Sequence, residues 1–354
     1  MGKPCRYIIV GTAGKGGDWC RATLPRLAEL GKAIPAAAVD INADHLQNAK
    51  DHLGLSEELC FTDINTAFDK VKADFAIIVT PPNFHELVVD AALAHDMDIL
   101  SEKPIADNME ACCRIYKKVT SAGKKMAVTM SHRFDQDKQS LEAAVHSGDY
   151  GSLDYVIGRF TMALRKFGAW GAKFRHEMVD PLLIEGTVHH FDIFRGLTKS
   201  DCETVYTVGW NPTWGEYGGD SQALITMQMK NGVKCFWEGA NCNAVTLNGW
   251  TKDYIRAECE NGTIELDARK LRLLNPRIDG EITGKELPLA SGEVWKNEWI
   301  AEMFCDWLSG EREDHPSRLE DNIQCVALLF AAVESAHTGQ PINVQYFLKQ
   351  HLDN

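Results

Sequence analysis

The sequence predicts an α/β protein of two domains, a doubly wound parallel sheet followed by an α+β domain with an open, mostly antiparallel sheet. Three observations carry this. The chain has 354 residues, more than one hydrophobic core commonly supports. Up to Arg133, short apolar or β-branched runs alternate with longer helical stretches, which is the pattern of βαβ units. Past Ser147, strand-like runs follow one another with turn residues between them, as in an antiparallel sheet. The expected domains are residues 1–133 and 134–354.

The expected parallel strands are Arg6–Val10, Ala36–Asp40, Phe75–Thr80, Asp98–Ser101 and Met126–Met130. Helical stretches separate them, among them Phe84–His95 and Asn108–Ala122; the second opens on Asn108, a good N-cap, and stops at Gly123. After a helix over Gln136–Ser147 come the strands Tyr155–Met162, Val205–Trp210, Ala223–Met229, Val233–Gly239 and Tyr254–Glu260. Lys230-Asn231-Gly232 and Glu260-Asn261-Gly262 read as turns, because Asn and Gly adopt positive φ at little cost. Two helices are expected to close the chain, Glu298–Leu308 and Leu319–His337, the latter ending at Gly339 with Pro341 beyond.

Composition narrows the function classes. Hydrophobic residues make up 45% and charged residues 25%, an ordinary globular balance that excludes a disordered or fibrous chain. The net charge of −13, with no dense basic run, argues against nucleic acid or anionic membrane as a partner. The eleven cysteines include no C-x-x-C spacing, so buried cytosolic thiols explain them better than a disulfide framework or zinc ligands. The N-terminus runs directly into a strand without a signal pattern, and no stretch of about 18 apolar residues suits a membrane span. The expected compartment is the cytoplasm.

The strand Arg6–Val10 leads into Gly11-Thr12-Ala13-Gly14-Lys15-Gly16-Gly17 and then a helical stretch. Backbone must come close to a pyrophosphate, and a helix N-terminus offers it free N–H groups and a positive dipole end, so this order suits a dinucleotide in a Rossmann domain. Gly11 and Gly16 match G-x-G-x-x-G, whereas Ala13 stands at the middle glycine and Pro25 is expected to interrupt the helix. Asp40 ends the next strand 24 residues beyond Gly16, near the spacing of about 20 for the carboxylate that binds ribose hydroxyls. A plain tight loop and a surface Asp are the bland alternatives. Ile41 and Asn42 follow Asp40 where an Arg would welcome a 2′-phosphate, which predicts NAD over NADP.

Two further clusters carry candidate chemistry. Glu102-Lys103-Pro104 follows a parallel strand, so Lys103 should face a ligand beyond the strand's carboxyl end, where its ammonium can hold a substrate hydroxyl and lower its pKa. Leu183–Asp192 reads as a helix that, at 100° per residue, sets Glu185, His189 and Asp192 on one face with His190 turned away. A carboxylate beside an imidazole fixes its tautomer and raises its basicity, as a proton acceptor needs. An interdomain salt bridge on that face is the structural alternative. Adjacent His189 and His190 also suggest a metal, but rings pointing in different directions argue against one, and none is expected.

These pieces together resemble the Gfo/Idh/MocA oxidoreductase family over nearly the whole chain. The most specific mark is Glu102-Lys103-Pro104, preceded by the family-like loop Thr80-Pro81-Pro82-Asn83-Phe84-His85. The resemblance implies a catalytic Lys103, with Thr80, Pro81, Asn83, His85 and Glu102 along the cofactor beside Gly11, Ala13, Gly14, Gly16 and Asp40. The family's D-x-G-x-H-x-x-D helix corresponds to Glu185, Thr187, His189 and Asp192, with Glu185 replacing Asp and Thr187 replacing Gly, changes that bear on the substrate more than on the reaction class. Arg133 with Phe134 resembles the family's Arg-Phe step, and Arg165, Trp170, His176 and Asp192 are candidate substrate contacts. The expected reaction is hydride transfer between NAD and a hydroxyl or carbonyl of a sugar or polyol, with the proton passing toward His189. The alternatives are an NAD-dependent glycosidase acting by transient oxidation and a non-catalytic NAD- or sugar-sensing regulator. In the family the open sheet commonly builds a dimer or tetramer. Apolar residues on both sides of the pleat in Leu224–Met227 and Cys235–Trp237 are compatible with such a homo-oligomer.

Overall fold

Parallel strands whose side chains are apolar on both faces must be covered on both faces, and the N-terminal half solves this with crossover helices. The computed structural model describes residues 4–171, 173–276 and 282–353. Its backbone divides into two compact units, one of Met1–Ser131 with Val294–Ile323 and one of His132–Glu293 with Gln324–Asn354.

In the first unit the strands are β1 (Cys5–Val10), β2 (Ala33–Val39), β3 (Cys60–Phe61), β4 (Phe75–Ile78), β5 (Asp98–Ser101) and β6 (Met126–Val128). They form one sheet in the order β3-β2-β1-β4-β5-β6, every pair parallel. The order reverses at β1 and β4, and the loops leaving the carboxyl ends there form the ligand crevice of such sheets. Ile8, Ile9, Ile77 and Leu100 are fully or almost fully buried along the sheet. The helix Met109–Ser121 starts as expected, with the Asn108 side chain accepting the Ala111 N–H. Pro25 does not interrupt the helix after the glycine loop. Residues Lys15–Asp18, Trp19–Thr23 and Leu24–Glu29 stay helical throughout, because the middle segment is a π turn that shifts the hydrogen-bond ladder ahead of the missing proline N–H.

The helix Lys296–Ser309 belongs to this unit although about 170 residues separate it from β6. It packs on the helical segment Trp19–Glu29, and Phe304 meets Phe75 of β4 at a ring separation of 5.3 Å. Lys32 pairs with Asp306, and Lys125 donates to the Trp307 carbonyl at 2.6 Å.

The second unit contains β7 (Leu153–Thr161), β8 (Cys202–Trp210), β9 (Gln222–Met229), β10 (Lys234–Ala240), β11 (Tyr254–Cys259), β12 (Gly262–Asp267), β13 (Lys270–Pro276), β14 (Ile282–Leu287) and β15 (Ile342–Asn343). The sheet order is β14-β13-β12-β11-β7-β10-β9-β8-β15, antiparallel at every pair except β7 with β10. Residues 230–233 join β9 to β10, and Glu260-Asn261 close the β11–β12 hairpin as expected. A third helix, Val344–Asp353, corrects the expectation that two helices close the chain; it anchors through buried Val344 and Leu348.

One correction bears on the chemistry. The segment Leu183–Asp192 is not one regular α-helix: Leu183–Thr187 is a π turn and Val188–Thr198 is α-helical. The 100° step therefore holds from His189 to Asp192 but does not carry back to Glu185.

Candidate active site

In the first unit the glycine loop is shaped by contacts that leave no room for side chains. Gly11 has φ +94°, and a Cβ there would lie 2.5 Å from the Val79 carbonyl oxygen, while one on Gly16 would lie 2.2 Å from the Gly11 oxygen. Strand, loop and helix thus meet backbone to backbone. Gly14 has φ +50° at the start of the helix and borders open space, with nothing within 4 Å of a Cβ built on it. That opening is what a pyrophosphate on a helix N-terminus requires.

Asp40 follows β2 and is 8% exposed. One carboxylate oxygen, Oδ2, accepts the Thr12 N–H at 2.9 Å, and Oδ1 accepts the Asn42 N–H at 3.0 Å and faces His45 Nδ1 at 3.1 Å. At the far side of the crevice Thr80 Oγ1 is buried without a hydrogen-bond partner. A buried hydroxyl is costly to leave unsatisfied, so it fits a site that a ligand completes.

Glu102 ties the Lys103 loop to the phosphate-loop helix. Its Oε1 accepts Trp19 Nε1–H at 2.8 Å and the Asn297 side-chain amide at 3.3 Å. Lys103 itself is half-buried, and its peptide bond to Pro104 is cis. His85 is fully buried; Nε2 faces the Thr80 carbonyl at 2.9 Å, and Nδ1 faces those of Pro104 and Ile105 at 3.1 and 3.2 Å. Burial pushes its imidazole below the ordinary histidine value, outweighing these carbonyls. His85 thus staples the Thr80–Phe84 loop to the Lys103 loop. Pro81 and Asn83 lie in the first of these loops, and Ala13 lies in the glycine loop.

In the second unit the candidate residues each meet a different partner. Glu185 accepts Arg175 Nε at 2.9 Å, and the Arg175 guanidinium lies over the Trp170 ring at 5.7 Å and the Phe174 ring at 5.5 Å. Asp192, almost fully buried, accepts Arg133 Nε at 2.8 Å. His189 is 5% exposed and stacks on His132 at 4.3 Å with the rings 16° from parallel, and Trp250 stands edge-on to both. His190, turned elsewhere as expected, is bound at 2.9 Å to the fully buried Asp253, which also pairs with buried Lys138. Burial alone would raise the Asp253 carboxyl, but the His190 hydrogen bond and the Lys138 charge outweigh it and hold the group well below the usual range.

The loop residues are committed within this unit. His176 is buried, stacked on Tyr217 at 4.0 Å, with Nδ1 against the Glu216 carbonyl and Nε2 accepting the Trp170 N–H at 3.4 Å. Trp170 packs with Tyr217 and Cys242, and Arg165 donates to the Cys242 carbonyl at 3.3 Å. Sequence reasoning missed His132, Trp250, Arg175 and Trp19. His132 adjoins Arg133 and could have been singled out, but nothing in linear order marks Trp250 as a neighbour of His189. All eleven cysteines are free thiols. Among the described residues no group of three or more His, Cys, Asp or Glu could hold a metal ion, and no helix is long and apolar enough to cross a membrane.

Comparison with known proteins agrees with this picture. Residues 5–130 match the oxidoreductase family with an NAD-binding Rossmann fold, GFO_IDH_MocA. Over 352 residues, 98% of this chain and 97% of the other, the sequence is 42% identical to the uncharacterized protein y4oX of Sinorhizobium fredii. It is 28% identical over 236 residues to the inositol 2-dehydrogenase of Corynebacterium glutamicum, a match spanning 66% of each chain. In fold it is similar to an oxidoreductase from Agrobacterium radiobacter solved in complex with NAD+, L-tartaric acid and magnesium, with a TM-score of 0.82 over 97% of this chain and 99% of that one at 20% identity. Residues 5–130 thus belong to the NAD-binding Rossmann fold of the Gfo/Idh/MocA oxidoreductase family.

Proposed function

We propose that the protein is a dehydrogenase that oxidises a CH–OH group of a sugar, polyol or sugar acid, or reduces the matching carbonyl, and uses NAD in preference to NADP. Gly11, Ala13, Gly14 and Gly16 would hold the pyrophosphate, Asp40 the adenosine ribose, and Thr80, Pro81, Asn83, His85, Glu102 and Lys103 the nicotinamide half, directly or through the loops they form. Arg133, whose Nε is paired with Asp192, is the remaining residue expected on the cofactor side. Bound NAD supplies the hydride acceptor. Lys103 holds the reacting hydroxyl and lowers its pKa; His189 takes the proton. Glu185, turned to Arg175, shapes the substrate side together with Arg165, Trp170 and His176.

The observation that carries the reading is Glu102, whose carboxylate joins the Lys103 loop to the helix that starts at the phosphate loop. A lysine so tethered is held in place relative to the cofactor crevice of its own unit. The substrate class is supported by the named relative, an inositol 2-dehydrogenase. The test is NADH formation followed by absorbance across inositols, aldoses, amino sugars and sugar acids. Lys103→Met and His189→Ala should each lower kcat by roughly 10²–10⁴-fold; near-normal turnover in both overturns the role assignment.

A second copy of the chain is the expected partner. On β8, β9 and β10 the residues Tyr206, Val208, Trp210, Leu224 and Phe236 are exposed while Val205, Ile225, Met227, Cys235 and Trp237 are buried on the opposite face. Five large apolar side chains on a face shared with Thr226, Gln228, Lys234 and Glu238 favour a homodimer or homotetramer through this sheet. Light scattering at micromolar concentration should give at least a dimer, and a monomer excludes it.

A further inference from the structure

The ribose-binding role of Asp40, on which this inference rests, meets an obstacle in the geometry around the carboxylate. An ionised carboxylate offers about four acceptor positions. Here Oδ2 faces Thr12 N at 2.9 Å and Thr12 Oγ1 at 3.3 Å, and Oδ1 faces Asn42 N at 3.0 Å and His45 Nδ1 at 3.1 Å. Every position is taken, yet a ribose diol needs two of them.

The four donors are not equally fixed. Two are main-chain amides. The Thr12 hydroxyl has one proton, and its shorter bond, at 2.9 Å, goes to the His45 carbonyl, so its contact with Asp40 yields without loss. The remaining donor is the His45 imidazole. Its side chain is 43% exposed on the short 3-10 turn Ala43–Leu46. The Asn42 side-chain amide lies 3.3 Å from Nε2, which makes Nε2 the acceptor and Nδ1 the protonated nitrogen, and so directs a true N–H at Asp40. Asn48 holds the same loop from beneath by donating to the Thr12 carbonyl at 2.9 Å. Main-chain contacts therefore keep the loop closed whether or not the ring stays on Asp40.

We infer that His45 is an intramolecular occupant of the adenosine-ribose position: its imidazole fills the outward acceptor site of Asp40 in the free protein and must swing aside for the 2′,3′-diol of NAD to bind. A nicotinamide dinucleotide is admitted by exchange of one hydrogen bond for another, so part of its binding free energy is spent on displacing the ring. A 2′-phosphate gains nothing from that exchange, since it brings negative charge to the Asp40 carboxylate.

The experiment is calorimetric titration of the full-length protein with NAD+ and, separately, NADP+, for the wild type and for His45→Ala, His45→Gln and Asp40→Asn. Removing one competing hydrogen bond should tighten NAD+ by about three- to tenfold in His45→Ala without tightening NADP+, so the preference for NAD+ widens. His45→Gln, which restores a donor, should bind NAD+ close to wild type. This rescue separates loss of the donor from loosening of the turn. Unchanged or weaker NAD+ binding in His45→Ala, with Asp40→Asn also weakened, overturns the inference and leaves Asp40 as the ribose ligand. If Asp40→Asn binds NAD+ like the wild type, the ribose assignment itself fails, and the inference with it.

Discussion

The two units hold their candidate residues by different means. In the parallel-sheet unit the side chains are fixed mainly by uncharged partners, most of them main-chain groups: His85 against three carbonyls, Asp40 against two amides, Glu102 against an indole and an amide. In the mixed-sheet unit side-chain pairs take over: charge pairs join Arg133 to Asp192, Arg175 to Glu185, and Asp253 to both Lys138 and His190, while His189 and His176 stack on neighbouring rings. Loops at the ends of parallel strands already present aligned backbone donors and acceptors, so little else is needed to hold a cofactor. A helix lying on a sheet presents only side chains, and polar ones buried there must find charged or hydrogen-bonded partners. Substitutions should therefore damage ligand binding in the first unit and the fold in the second.

The largest effect should come from Asp253→Asn, which leaves Lys138 buried beside Asp137 alone and removes the charged partner of His190. A loss of about 3 kcal/mol is expected from urea unfolding. A loss under about 1 kcal/mol would break the contrast. Next, Gly11→Ala puts a methyl 2.5 Å from a carbonyl at φ +94°, a strain of about 1–3 kcal/mol. It should weaken NAD+ about tenfold or more by titration.

A pH effect follows from His85. Because burial holds its folded-state pKa below the ordinary value, the unfolded chain takes up a proton below about pH 6.5 that the native state refuses. Its contribution to stability is therefore complete above that pH and declines as the pH falls below it; Tm measured from pH 8 to 5 should show the decline, and His85→Gln should flatten it. The smallest effect belongs to Glu86, whose carboxyl is lowered to about 2 by Arg114 first, against some desolvation, and then by Lys118. These are surface helix pairs, so Glu86→Gln should cost under about 1 kcal/mol.

Much of the first unit could be read from the chain. Runs such as Phe75–Ile78 are apolar at every position, and only a strand covered on both faces tolerates that. Gly11, Asp40 and Glu102-Lys103-Pro104 lie at strand ends, so their place in the crevice follows from the order of elements. The second unit was harder to read. The π turn Leu183–Thr187 leaves no mark on a 3.6-residue pattern, so neither the change of helix type before His189 nor the Arg175 contact of Glu185 was legible. β14 presents exposed or half-buried residues only and gave no alternation to detect.

Local rules thus determined the strand–glycine loop–helix order, the acidic residue after β2, the lysine after β5 and the class of each sheet, because each depends on neighbours within a few residues. Only the tertiary structure decided that Lys296–Ser309 packs in the first unit, that His132 stacks on His189, and that Asp253 joins His190 to Lys138. The physical reason is range. Backbone periodicity and turn chemistry act along the chain, whereas ring stacking and buried charge pairing act through space and are fixed only once the sheets have closed.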